Sequence, residues 1–193
     1  MAERTINNWY HILIIGGSAG SLDVLIRLLP QLRSDLQMAV VIVVHRNNSD
    51  SLLQEVLSER TSNAVKDVEE KEEIVAGTIY VAPADYHLLI EKDRTFSLDY
   101  SEKVNYSRPS IDVTFETAAE AYGATCVGVL LSDANADGTA GLAIIKSKGG
   151  LTVVQDPANA AVSFMPGHAI EKVKVDYVAS VEVIAEIINR LNG

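Results

Sequence analysis

Continuous apolar runs alternate with amphipathic stretches along most of this chain. The run HILIIGG (11–17) reads as a buried strand. Residues 21–33 follow with Leu22, Leu25, Ile26, Leu28, Leu29 and Leu32 spaced along one face of a helix, and Pro30 is expected to kink or end it. MAVVIVVH (38–45) is a second buried strand rich in β-branched residues. Residues 50–60 return to helix, with Leu52, Leu53, Val56 and Leu57 on one side. The short segments GTIYVAP (77–83), HLLIEK (87–92) and TFSLDY (95–100) are divided by turn residues and suggest a small antiparallel excursion. Helix is expected again over 111–123, with Ser110 as its N-cap. A strand at 125–132, a glycine-closed helix over 137–150, a strand at 151–155 and an amphipathic helix over 180–191 complete the pattern.

This alternation predicts an α/β fold: a doubly wound, mostly parallel sheet with helices on both faces and an antiparallel excursion around 77–100. With no repeat, linker or low-complexity tract, residues 1–193 are expected to form a single domain. In such sheets ligands bind beyond the carboxyl ends of the strands, so the residues standing there matter most.

Composition narrows the function. Sixteen basic residues against 26 acidic ones give a formal net charge of −10. With no basic patch, nucleic acid is not an expected partner. No apolar stretch reaches membrane-spanning length and no signal peptide opens the chain, so a cytoplasmic protein without direct membrane insertion is expected. Cys126, the one cysteine, lies in the apolar run TCVGVLL and reads as a small buried hydrophobe rather than a reactive thiol.

At the predicted strand ends stand Ser18 in GGSAGS, His45, and the pair Asp133 and Asp137 in SDANADG. A hydroxyl, an imidazole and a carboxylate are the groups that serine hydrolysis needs. The imidazole takes the hydroxyl proton, and the carboxylate orients the imidazole and stabilises its charge. The turn at Ser18 leads into a helix whose first N–H groups lack internal partners, and the Ala19 N–H is the first candidate oxyanion donor. A dinucleotide site is the competing reading of a glycine-rich strand–helix turn. However, GxGxxG is absent, and the second strand ends in His45 rather than an acid. A serine in a turn and a histidine at a strand end also occur commonly as purely structural groups. Of the other histidines, His11 opens the first strand at the opposite edge, His87 lies in the excursion and reads as structural, and His168 is a weaker candidate base.

In this order, the segments IIGGSAGSLDVL (14–25), VVHR (43–46), IYVAPADYHLL (79–89), RPSIDVTFETAA (108–119), LLSDANADGTAGL (130–142), GGLTVVQDP (149–157) and FMPGHAI (164–170) resemble the catalytic domain of the chemotaxis protein-glutamate methylesterases, the CheB family. The resemblance implies a Ser18–His45–Asp137 triad with backbone oxyanion donors at Ala19 and Ala134. It places Arg108, Pro109, Phe164 and Met165 along the cleft. It implies hydrolysis of γ-glutamyl methyl esters on a methylated chemoreceptor-like protein and deamidation of receptor glutamines by the same acyl chemistry. No cofactor and no metal is implied.

The chain departs from the family pattern in two loops. Family members commonly read G-A-S-T-G-G at the nucleophile, whereas this chain reads GGSAGS. The loop commonly written L-T-G-M-G-x-D-G is LSDANADG here, so Asp133 replaces a glycine and Ala134 a methionine. A second carboxylate there could raise a neighbour's pKa, repel acidic peptides or displace the loop amide. About ten residues precede the first strand, too few for the phosphoacceptor receiver domain that such esterases usually carry, and phosphorylation control in cis is not expected. The alternative is a catalytically impaired module that keeps affinity for a receptor or adaptor helix.

Overall fold

The computed structural model describes residues 9–45 and 52–191. Arg46 and the first residues of the helix expected at 50–60 lie outside them. Seven parallel strands form the main sheet: β1 (Ile12–Ser18), β2 (Ala39–His45), β3 (Ala64–Asp67), β4 (Thr78–Val81), β7 (Cys126–Leu130), β8 (Leu151–Gln155) and β9 (Tyr177–Ala179). Their order is β3-β4-β2-β1-β7-β8-β9. From β1 the chain builds outward through β2, then returns to lay β7 on the other side of β1. The order therefore reverses beside β1, which is where open α/β sheets place their ligand sites.

Alternate residues of each central strand feed two cores. Leu13 and Ile15 face one side, with Leu25 and Leu28 of α1 (Leu22–Leu28), Leu57 of α2 (Leu53–Ser58) and Ile184 and Ile188 of α6 (Val181–Leu191). Ile12 and Ile14 face the other, with Phe115 of α3 (Ile111–Tyr122), Leu142 of α4 (Thr139–Ser147) and Ala169 of α5 (Phe164–Lys172). Because helices cover both faces, the strands carry unbroken apolar runs rather than alternating ones.

The antiparallel excursion is smaller than its sequence suggests. It consists of β5 (His87–Ile90) paired with β6 (Phe96–Asp99). The segment at 77–83 supplies β4, which pairs in parallel with β2 and β3 in the main sheet. The helix expected over 21–33 is α only to Leu28, and Pro30 sits in the 3-10 turn Leu29–Gln31 that ends it. Cys126 is buried, and that burial pushes its thiol up to about 12. Among the described residues, no helix is long and apolar enough to cross a membrane.

Candidate active site

Parallel register, rather than loop conformation, brings the first two candidate groups together. Ser18 and His45 are the last residues of β1 and β2 and are direct Cα partners in the ladder, so their backbones lie one strand spacing apart, about 4.8 Å. The last residues of β1 must be small. A Cβ on Gly16 would collide with Ile111 of α3, and one on Gly17 would come within 2.5 Å of the Ser21 hydroxyl.

The Ser18 hydroxyl is half-buried and weakly held. It donates to the Ser132 carbonyl at 3.3 Å and accepts from the Gly20 N–H at 3.2 Å. The buried Ser21 hydroxyl steadies the turn by donating to the same carbonyl at 2.8 Å and accepting from the Ser18 N–H at 3.3 Å. Ser18 makes no hydrogen bond to His45.

His45 is gripped from both sides instead. Its Nε2 meets Asp137 Oδ2 at 2.8 Å and its Nδ1 meets Asp133 Oδ2 at 2.7 Å. Both carboxylates therefore contact the imidazole, which resolves a choice the sequence left open. An ionised carboxylate can only accept, so a ring bound to two of them carries a proton on each nitrogen. Burial of the ring opposes its charge, but the hydrogen bonds and charges of Asp133 and Asp137 outweigh burial and hold the pKa at about 9.

Asp137 is fully buried and surrounded by donors. Burial alone would raise its pKa, yet the carboxyl stays below the usual aspartate range. It pairs with His45, accepts from the Ile111 N–H at 2.6 Å and the Asp112 N–H at 3.1 Å, and accepts from the Ser110 hydroxyl at 2.8 Å. Asn105 Nδ2 adds a further contact at 3.2 Å. Ser110 is the residue before α3, as expected, but its hydroxyl serves Asp137 rather than capping the helix. The adjacent Asp112 is pushed up to about 6 by burial and by the charge of Asp137, against the Gly141 N–H that it accepts.

Of the expected oxyanion donors, Ala19 lies in the 3-10 turn directly after Ser18. The Ala134 N–H is already engaged, donating to Asp133 Oδ1 at 2.6 Å. Arg108 lies over the Tyr100 ring, 3.9 Å from its centroid, and donates to the Tyr100 and Ser101 carbonyls. It makes no hydrogen bond to Ser18, His45 or Asp137. Met165 does not line an open cleft. Its side chain is fully buried in the core, and Phe164 beside it is 52% exposed and stacks on His168. Pro109 is buried. His87 is structural: its Nδ1 accepts from the Ser110 N–H and its Nε2 donates to the Glu102 carbonyl, so one neutral tautomer satisfies both contacts.

Sequence reasoning did not single out Ser21, Asn105 or Ser132. Ser21 and Ser132 sit inside quoted motifs, but their role comes from contacts more than 100 residues apart. Among the described residues, no group of three His, Cys, Asp or Glu side chains could hold a metal ion.

Comparisons with known proteins agree with this architecture. Residues 13–188 match the CheB methylesterase family. Over 184 residues the chain is 50% identical to a putative protein-glutamate methylesterase/protein-glutamine glutaminase of Leptospira interrogans, covering 95% of each. It is 33% identical over 179 residues to a protein-glutamate methylesterase/protein-glutamine glutaminase of Thermotoga maritima, covering 91% of this chain but only 52% of that one. The crystal structure of the Thermotoga maritima CheB methylesterase catalytic domain superposes with a TM-score of 0.90 at 32% identity, over 94% of this chain and 98% of that one. A family match over nearly the whole length, joined to this sheet order and strand-end chemistry, leaves one assignment: the chain belongs to the CheB methylesterase family of carboxylic-ester hydrolases.

Proposed function

We propose that this chain is a cytoplasmic protein-glutamate methylesterase, folded as one catalytic domain, that uses Ser18, His45 and Asp137 on γ-glutamyl methyl esters of a chemoreceptor-like protein. The observation that carries the reading is the in-register pairing of Ser18 with His45 at the reversal of strand order, with Asp137 on Nε2 of the imidazole.

In this reading Asp137 fixes Nε2, so Nδ1 is left as the basic nitrogen that serves the nucleophile. Ser18 Oγ attacks the ester carbonyl as Nδ1 takes its proton. The tetrahedral oxyanion is met by the Ala19 N–H. Collapse breaks the ester C–O bond, and His45 returns the proton to the departing methoxide, giving methanol. Water, deprotonated by the same nitrogen, attacks the acyl-enzyme and releases the glutamate carboxyl and free Ser18. A glutamine side chain would follow the same course with ammonia as the leaving group. No step needs a metal or an organic cofactor.

The test is methanol release from a methylated receptor peptide. Ser18→Ala should lower the rate by roughly 10³-fold or more. Equal release by the wild type and the variant would overturn the proposal.

A second reading has its own support. With both His45 nitrogens on carboxylates and the Ala134 N–H occupied, a module that binds a receptor or adaptor helix without turnover fits the resting geometry. Failure of Ser18 to react with a fluorophosphonate at any pH, while the methylated peptide still binds, would favour it.

A further inference from the structure

Asp133 stands where the family pattern has a small residue without charge, and its carboxylate makes two contacts that the reaction needs for itself. Oδ2 covers His45 Nδ1 at 2.7 Å, the nitrogen left for Ser18 once Asp137 holds Nε2. Oδ1 takes the Ala134 N–H at 2.6 Å. A carboxylate held between an imidazolium N–H and a loop amide is also the arrangement expected of the glutamate carboxylate that ester hydrolysis leaves behind.

The position of Asp133 is built. Its carbonyl accepts from the Met165 N–H at 2.9 Å. The preceding Ser132 is tied through its hydroxyl to both the N–H and the carbonyl of Val162, and its N–H donates to Gln155 Oε1 at 3.1 Å. The side chain itself is 12% exposed.

We propose that Asp133 is an internal product mimic, a positioning residue that occupies the base nitrogen and the loop amide and must swing out before Ser18 can be activated. This rests on the triad reading above. His45 cannot accept the Ser18 proton while both of its nitrogens donate to carboxylates, so the resting site is held latent by its own residues. Substrate competes with Asp133 for the same donors, and after hydrolysis the Asp133 carboxylate displaces the product carboxylate by returning to its place. The charged groups around the imidazole all bear on this balance. Asp133 and Asp137 face it directly from the loop after β7, and Asp112 of α3 lies behind Asp137, sharing the Asn105 amide with it. Ser18 of β1 and Ser110 before α3 contribute no charge.

The test compares fluorophosphonate labelling of Ser18 in the wild type, Asp133→Ala and Asp133→Asn from pH 6 to 10, with Ser18→Ala as the blank and circular dichroism as the folding control. The ring-proton NMR titration of His45 is followed in the same proteins. Asp133→Ala should label at least about tenfold faster at pH 7, with its His45 midpoint more than one unit lower. Asp133→Asn keeps an acceptor for the Ala134 N–H but loses the charge, so its labelling should fall between the two. Equal labelling with an unmoved midpoint would overturn the role of Asp133 and leave the triad standing. Absence of labelling in every protein at every pH would overturn the triad reading and this proposal together.

Discussion

The carboxyl end of β1 and the loop after β7 meet at the same point, and they hold their polar groups in opposite ways. The first is uncharged and tightly packed in its backbone, with glycines against Ile111 and Ser21, yet its serine hydroxyl has only two long contacts, at 3.2 and 3.3 Å. The second grips its groups with short, charge-assisted bonds of 2.6 to 2.8 Å. Charge-assisted contacts of this kind are roughly twice as strong as neutral ones. The Ser18 hydroxyl is thus free to change partners, whereas the imidazole is locked. On the proposed mechanism, the step to be overcome is freeing His45 rather than reaching Ser18.

The largest effect is expected from the buried carboxylate. Asp137→Asn removes the charge that orients His45 and should lower esterase turnover by about 10²- to 10⁴-fold. Steady-state methanol release measures it, and a loss under tenfold would transfer the orienting role to Asp133.

Next comes a pH effect on stability. The folded-state pKa of His45 is raised from 6.5 to about 9. Its contribution is therefore whole below pH 6.5 and is lost as pH rises through about 9. The melting temperature of the wild type should exceed that of His45→Gln at pH 6, and the gap should shrink by roughly 5 °C by pH 10. A gap that stays constant across this range would mean that the two carboxylates do not stabilise the imidazolium.

The smallest effect belongs to the other side of the comparison. Ser21→Ala removes one bond to the Ser132 carbonyl and the acceptor for the Ser18 N–H, and should cost about 1 kcal/mol in chemical denaturation. If the turn is positioned by packing, turnover should fall only a few-fold. A loss as large as that of Asp137→Asn would show that Ser21 positions the nucleophile.

The central sheet was legible because its strands are mostly apolar segments of five to seven residues bounded by helical periodicity, as in β1, β2, β7 and β8. The edges were not. β3 is AVKD with two exposed and two half-buried residues, and β9 has three residues, too few to show a period. The segment 77–83 was recognisable as a strand, but nothing local reveals whether a strand's partners run parallel or antiparallel to it. Helix α5 begins Phe-Met-Pro-Gly, residues with little helical signal, although proline is tolerated in a first turn. Ser18, His45 and Asp137 stood out as candidates because each ends a strand or lies in the loop beyond one. The double grip on His45 was not, because a loop with only three residues between Asp133 and Asp137 can present either acid to the ring. The geometry shows that it presents both, one on each nitrogen.

The amino-terminal end of α3 has one more consequence. The Ile111 and Asp112 N–H groups, joined by the Ser110 hydroxyl, converge on Asp137 where the positive pole of a helix favours an anion. That carboxylate is thus neutralised by the scaffold before His45 is counted. It can remain ionised when the imidazole gives up its proton, so on the proposed mechanism each catalytic cycle begins and ends with an unmoved counterion.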